Sequence, residues 1–178
     1  MKETKYKVNE VFRSVQAEGA NTGKSAVFVR FSGCNLKCKF CDTAHETFFE
    51  MAKDELEAKI DELSHNDKSV LVVFTGGEPC LQLKEDEPLA EGHPTAVETN
   101  GLLKVPSWIR WVTVSPKTVM EVEQLKQANE VKVLCGMFSD EQLEKIEGIH
   151  SALYMQPMEK NGTMNIAECL KFIEKHPQ

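Results

Sequence analysis

The chain reads as an α/β fold, a mainly parallel sheet of about six short strands in an open or partly closed barrel with helices between them. Three observations carry that reading. Short apolar runs near residues 28, 72, 97, 113, 133 and 154 alternate with segments of helical periodicity. One of them, residues 70–74 (VLVVF), is apolar at every position, as a strand covered on both faces requires. Most of the runs lead directly into a polar or glycine-rich cluster, at the sheet edge where parallel α/β folds bind ligands.

Taken in order, residues 7–16 (KVNEVFRSVQ) place Val8, Phe12 and Val15 in imperfect alternation, with Val11 out of step, and predict an extended arm or strand. Residues 17–24 (AEGANTGK) read as a loop. A strand over residues 26–31 breaks at Gly33 into a loop carrying Cys34, Cys38 and Cys41. Residues 52–65 make the best helix, with Leu56, Ile60 and Leu63 on one face and Asp54 and Glu55 in the first turn. The strand at 70–74 runs into Thr75-Gly76-Gly77-Glu78-Pro79. Residues 83–93 are acidic and interrupted by Pro88, so any helix there is short.

Residues 95–98 form a strand ending in Glu98-Thr99-Asn100-Gly101, and residues 111–115 another ending at Pro116-Lys117. The link between them contains Pro106 and is too short for an ordinary helical crossover between parallel neighbours. Val119, Val122 and Leu125 predict a helix over 119–129, followed by a strand at 131–134. Residues 140–147 read as a helix capped by Ser139 or Asp140, and residues 152–155 as a strand ending at Gln156-Pro157. Ile166, Leu170 and Ile173 mark a last helix. The sequence contains no fixed-period repeat and no low-complexity tract.

At 178 residues and 41% hydrophobic, the chain is sized for one core, and one domain over residues 1–178 is expected. It has no run of about 18 apolar residues and no signal-like N-terminus, so a cytoplasmic protein with no membrane role is expected. Cysteines in that compartment are thiols or metal ligands. A net charge of -7 without any block of lysine or arginine argues against nucleic acid as a partner. Cys80, Cys135 and Cys169 stand singly among apolar neighbours and read as buried structural thiols.

The loop cysteines are different. Cys34, Cys38 and Cys41 are close enough for one short loop to wrap their thiolates around one metal centre, and three thiolates leave one position unfilled. A structural zinc site would close it with a fourth ligand, for which His45 is suitably spaced. A four-iron cluster would keep one iron open. A disulfide with one thiol left over is a third reading.

The CNLKCKFC spacing followed by GGEP at residues 76–79 resembles the radical S-adenosylmethionine enzymes. A narrower resemblance covers most of the chain. FRSVQAEG at residues 12–19, AVFVRFSGCNLKCKFCDT at 26–43, TGGEP, VETNG, VSPK and the late QP are similar to the 7-carboxy-7-deazaguanine synthases. Those enzymes convert 6-carboxy-5,6,7,8-tetrahydropterin to 7-carboxy-7-deazaguanine with loss of ammonia, in queuosine and 7-deazapurine biosynthesis. The resemblance implies a partial, open TIM-like barrel with reduced helices. It also implies a [4Fe-4S] cluster on Cys34, Cys38 and Cys41, S-adenosylmethionine chelated at the open iron, and Mg2+ on the Thr43 hydroxyl. An electron from the cluster would split the sulfonium and yield a 5'-deoxyadenosyl radical that takes hydrogen from substrate.

The same resemblance places S-adenosylmethionine against Phe40, Cys41, Asp42, Gly77, Glu78, Glu98, Asn100, Ser115, Pro116 and Lys117. It places the pterin against Val15, Gln16, Ala17, Glu18, Thr75 and Gln156, with Arg30 gripping the substrate carboxylate in a bidentate charged hydrogen bond. Ala17 stands where the family usually has glycine, and the family usually continues past a segment like residues 172–177 with a strand that closes over substrate. The pocket is thus expected to lack that segment or to be completed by a partner subunit. A homodimer and an electron donor such as flavodoxin or ferredoxin are further implications. The rival readings are a glycyl-radical-enzyme activase and a zinc or iron-sulfur module without turnover.

Overall fold

The computed structural model describes residues 4–41, 47–118, 125–149, 152–160 and 162–175. Its centre is an eight-stranded sheet. In chain order the strands are β1 (Lys5–Val15), β2 (Ser25–Phe31), β3 (Phe49–Ala52), β4 (Leu71–Gly76), β5 (Thr95–Thr99), β6 (Trp111–Val114), β7 (Glu130–Leu134) and β8 (Leu153–Gln156). They lie in the order β3-β1-β2-β4-β5-β6-β7-β8. The run from β2 to β8 is parallel throughout. These are the six strands the apolar runs predict, and the sheet is an open, partial barrel. β1 and β3 add an antiparallel flap at one edge. A two-stranded hairpin, β9 (Glu159–Lys160) with β10 (Thr163–Met164), follows β8.

The two-residue period of the strands divides their side chains between two faces. Val27, Val29 and Phe31 of β2, Val72 and Phe74 of β4, and Val131 and Val133 of β7 belong to the main core. That core is covered by α1 (Lys53–Ser64) and α2 (Asp140–Glu147), whose Leu56, Ile60, Leu143 and Ile146 join it. On the other face Ala26, Leu71, Val73 and Ala96 make a smaller cluster with Phe28 and Trp111. This explains why VLVVF carries no polar residue. It also closes the lower end of the inner face and leaves the carboxyl ends of the strands to polar side chains.

Both helix starts have sequence-legible caps. The Glu55 carboxylate accepts the Ala52 N–H at 2.8 Å, and Ser139 and Gln142 exchange side-chain-to-backbone hydrogen bonds across the first turn of α2. His65 ends α1 in the left-handed conformation. Asp61 of α1 ties the helix to the following loop, accepting from Lys68 Nζ at 2.5 Å and facing His93 Nε2 at 3.2 Å. Lys68, and then His93, hold the Asp61 carboxyl below the ordinary carboxylate range. A carboxyl depressed on folding contributes stability above its unfolded value and loses it as the pH falls through the folded one. Urea midpoints of wild type and Asp61→Asn are therefore expected to differ at pH 6 and to converge as the pH falls through the lowered folded value. A constant gap would exclude this linkage.

Several elements differ from expectation. β3 carries no alternation strong enough to separate it from the helix it precedes. Residues 83–93 form turns and a Lys84–Glu87 bridge, with a short 3-10 turn at Pro79–Leu81 instead of a helix further on. The helix expected over 119–129 falls largely on residues 119–124, outside the described residues; Leu125 and Lys126 are helical. The link between β5 and β6 makes its parallel crossover without a helix, burying Val105 and Ile109 in place of one. The last helix is present as α3 (Ile166–Lys175), but the residues that mark it do not make its buried face. Ile166, Leu170 and Ile173 are 54%, 54% and 53% exposed, while Cys169 is the buried position and Phe172 packs against the core. Of the three other cysteines, Cys80 is half-buried and stands alone, whereas Cys135 and Cys169 are neighbours. Burial, and then the neighbouring Cys135, push the Cys169 thiol up to about 12; both are buried and reduced. Among the described residues no helix is long and apolar enough to cross a membrane.

Candidate active site

At one level of the barrel the register aligns a row of polar residues across the strands. Glu10 pairs with Arg30, Arg30 with Thr75, Glu98 with Thr113, and Thr113 with Glu130. The Thr75 hydroxyl donates to Glu98 Oε2 at 2.8 Å and links the two halves. Above this row the strand ends and their loops enclose a cavity of about 680 Å³.

The segment after β1 forms the first wall. Gln16 donates its N–H to Lys24 O and accepts Gly23 N–H, so residues 16–24 close into a compact loop. Gln16 is 7% exposed; its side chain reaches Glu98 Oε1 at 3.0 Å and accepts the Glu18 N–H at 3.1 Å. Val15, Gln16, Ala17 and Glu18 all line the cavity. Ala17 is not among the residues with positive φ, so its backbone does not demand glycine. Arg30 lines the cavity from β2, paired with Glu10 at 2.6 Å and lying over the Phe12 ring, which stacks on Phe28. A substrate carboxylate at Arg30 would therefore share the guanidinium with Glu10.

The cysteine loop forms another wall, contributing Cys34, Leu36, Cys38, Phe40 and Cys41. Cys41 N–H closes a turn on Cys38 O at 3.2 Å, and Cys34 Sγ accepts the Leu36 N–H at 3.4 Å. None of the three is in a disulfide, none is fully buried, and one loop brings them to the same cavity; an amide donor on sulfur also suits a ligating thiolate. This donor set fits an iron-sulfur cluster held by three cysteines. Among the described residues no three ligating side chains are already gathered at one point. Asp42, Thr43 and His45 lie outside the described residues, and with them the expected Mg2+ ligand.

The glycines of TGGEP are needed by the protein itself. Gly77 N–H donates to Phe31 O and Glu78 N–H to Gly33 O, both at 2.9 Å, which seats the cysteine loop on the end of β4. A Cβ on Gly76 (φ +112) would lie 2.3 Å from Phe31 O, and one on Gly77 1.9 Å from Gly33 O. Gly77→Ala is expected to cost about 2–3 kcal/mol through that backbone clash and to lower the melting temperature by about 5–10 °C. Iron retained per chain should fall with it. An unchanged melting temperature would contradict this seating role.

Gly77 lines the cavity but the Glu78 side chain does not. Glu78 is 0% exposed, and its carboxylate accepts from Cys80 N–H, the Thr99 hydroxyl and Asn100 N–H at 3.0, 2.8 and 2.8 Å. It points behind the wall because three donors at the end of β5 meet it there. Burial, and then Glu78, push the neighbouring Cys80 thiol up to about 12. Asn100 reaches across to Asn35 of the cysteine loop at 2.7 Å. Glu98, Asn100, Ser115 and Lys117 line the cavity, with Lys117 Nζ 2.6 Å from Ser115 Oγ. Pro116, alternating with them, does not. Gln156 at the end of β8 completes the ring, its Nε2 donating to Glu18 Oε1 at 2.9 Å.

Sequence reasoning missed Glu130 and Lys132 on β7, and the rim made by Leu134, Met158, Glu159 and Met164. The available signal was a strand with charges at two positions in otherwise apolar EVKVL. Only the register with β6 shows that they face inward.

Residues 28–150 match the Radical SAM superfamily. The 7-carboxy-7-deazaguanine synthase of Bacteroides thetaiotaomicron is 38% identical over 97% of this chain and 91% of its own length. The enzyme of that name from Haemophilus influenzae is 33% identical over 96% of this chain and 84% of its own. The crystal structure of QueE from Escherichia coli superposes with a TM-score of 0.72 at 26% identity, covering 97% of this chain and 91% of that one. With that likeness spread over strands, cysteine loop and cavity together, the chain belongs to the 7-carboxy-7-deazaguanine synthase family of radical SAM enzymes.

Proposed function

We propose that the chain is a radical SAM lyase that converts 6-carboxy-5,6,7,8-tetrahydropterin to 7-carboxy-7-deazaguanine with loss of ammonia. The observation that carries this reading is the placement of Gln16, Glu18, Arg30, Thr75 and Glu98 in one cavity facing the three-cysteine loop. Cys34, Cys38 and Cys41 would hold a [4Fe-4S] cluster which, with S-adenosylmethionine bound, supplies a hydrogen-abstracting radical.

The chain's own residues bind, orient and exclude water. Glu18 and Gln16 offer paired acceptors and an amide to the pterin edge, already fixed by hydrogen bonds before substrate arrives. Arg30, on the Phe12 face, supplies the cation for the substrate carboxylate. Thr75 and Glu98 sit between the two walls, where the reacting ring would lie. Phe40, Cys41, Gly77, Glu98, Asn100, Ser115 and Lys117 line the part of the cavity assigned to S-adenosylmethionine, and Asp42 follows Cys41 in sequence. The Glu78 carboxylate and Pro116 support that wall from behind. Thr43 is assigned to Mg2+, a hard cation that keeps few protein ligands. The protein functions as a homodimer fed by a flavodoxin or ferredoxin.

The test is product analysis with anaerobically reconstituted, reduced protein, S-adenosylmethionine and the carboxylated tetrahydropterin, with and without Mg2+. Ring-contracted product, reduced when Mg2+ is chelated, is expected. Product formation indifferent to Mg2+ would remove the metal from the scheme, and absence of product would remove the substrate assignment.

A further inference from the structure

β7 is apolar apart from Glu130 and Lys132, which the two-residue period turns to the same face. Both meet the loop that carries Gln16 and Glu18. Glu130 is buried, and its two oxygens divide their work. Oε2 accepts the Ala20 N–H at 2.9 Å and Oε1 the Thr113 hydroxyl at 2.8 Å. The carboxylate lies so close beneath Gly19 (φ +63) that a Cβ there would come within 2.2 Å of Oε1. The loop and the carboxylate are thus fitted to one another.

Lys132 lines the cavity with its side chain 14% exposed and forms an ion pair with Glu18 Oε2. Burial works against its ammonium, but the carboxylates of Glu98 and Glu18, then Glu130, outweigh burial and raise Lys132 above the ordinary lysine range. Gln156 Nε2 occupies the other oxygen of Glu18. A carboxylate offers about four acceptor sites, so one donor on each oxygen leaves one free on each. The two remaining acceptor sites match in number the two adjacent N–H groups on a 2-amino-4-oxopyrimidine ring.

We propose that Glu130 and Lys132 are positioning residues that decide which ring the site accepts. Glu130 fixes the loop backbone at Gly19 and Ala20. Lys132, with Gln156, fixes Glu18 as a paired acceptor for a 2-amino-4-oxopyrimidine edge. This rests on the pterin reading above and adds to it the origin of ring selectivity: an analogue without the 2-amino group forfeits one of the two bonds.

The experiment uses cluster-loaded full-length protein, with equilibrium binding of the carboxylated tetrahydropterin in the absence of reductant, steady-state kinetics, and amide exchange. Lys132→Met is expected to raise the Kd and KM for the pterin about 10- to 100-fold, the loss of a charge-assisted hydrogen bond. The KM for S-adenosylmethionine should stay within about twofold, since uniform binding to one ligand alone is removed. Lys132→Arg should recover most of the affinity. Glu130→Gln should accelerate exchange of the Ala20 amide and raise the pterin KM. The 2-desamino analogue should bind wild type weakly and Lys132→Met no more weakly than the parent pterin does. Wild-type affinity for the pterin in Lys132→Met would overturn the proposal, as would equal losses for both ligands with no recovery in Lys132→Arg. Tight pterin binding without ring-contracted product would defeat the functional reading and leave this one standing.

Discussion

Cys38→Ala is expected to lose the iron-sulfur cluster and all 5'-deoxyadenosine formation while the protein stays folded. Three thiolates leave one iron for S-adenosylmethionine, and removal of one thiolate leaves a second iron without a protein ligand. Cys38 sits on the loop, partly exposed and away from both core clusters, so its replacement should change stability by no more than about 0.5 kcal/mol. Iron content, visible absorbance and thermal melting separate the outcomes. Loss of iron, with the mutant melting at the temperature of cluster-free wild type, supports ligation by Cys38. A fully occupied cluster in the mutant would take Cys38 out of the ligand set, and stoichiometric zinc in the wild type would replace the cluster altogether.

Glu78→Ala is expected to produce the largest loss of stability. The deletion leaves the Cys80 and Asn100 amides and the Thr99 hydroxyl without their acceptor in a site closed to solvent. At about 1–3 kcal/mol for each orphaned donor, partly relieved by entering water, the cost is about 3–6 kcal/mol. That corresponds to a fall of about 10–20 °C in melting temperature. The junction lost is the one that joins the end of β4 to the end of β5, and through Asn100 and Asn35 to the cysteine loop. The family resemblance instead implies that Glu78 meets the methionyl amine. The two roles read out differently. A protein that melts normally but needs far more S-adenosylmethionine would favour the direct contact, whereas a large fall in melting temperature favours the strut.

The parallel strands were legible because each pairs an apolar run with a polar end, a pattern that local sequence carries by itself. The cysteine loop was legible for the same reason: its ligand spacing is local. Chemistry assembled between distant strands was not. Glu130 and Lys132 read as two charges in a short strand until the β6–β7 register and the Gly19 contact place Glu130 beneath the loop and the Glu18 ion pair places Lys132 at the cavity. Glu78 illustrates the converse. Its neighbours Gly76 and Gly77 suggest backbone approach to a ligand, yet what approaches is the backbone of Phe31 and Gly33, and the carboxylate is taken by the next strand. In α3 the periodicity found a helix, but two apolar faces competed, and the choice of Cys169 over Ile166, Leu170 and Ile173 depends on where β7 and β8 lie.

The central claim is that the cysteine loop and the Gln16–Glu98 face belong to one reaction. It is tested most directly by supplying anaerobically reconstituted, reduced protein with S-adenosylmethionine and 6-carboxy-5,6,7,8-tetrahydropterin, then measuring 5'-deoxyadenosine and 7-carboxy-7-deazaguanine together. Both should form in wild type and neither in Cys38→Ala. Formation of 5'-deoxyadenosine with no deazaguanine at any pterin concentration would contradict the account, because the two walls of the cavity would then serve different substrates.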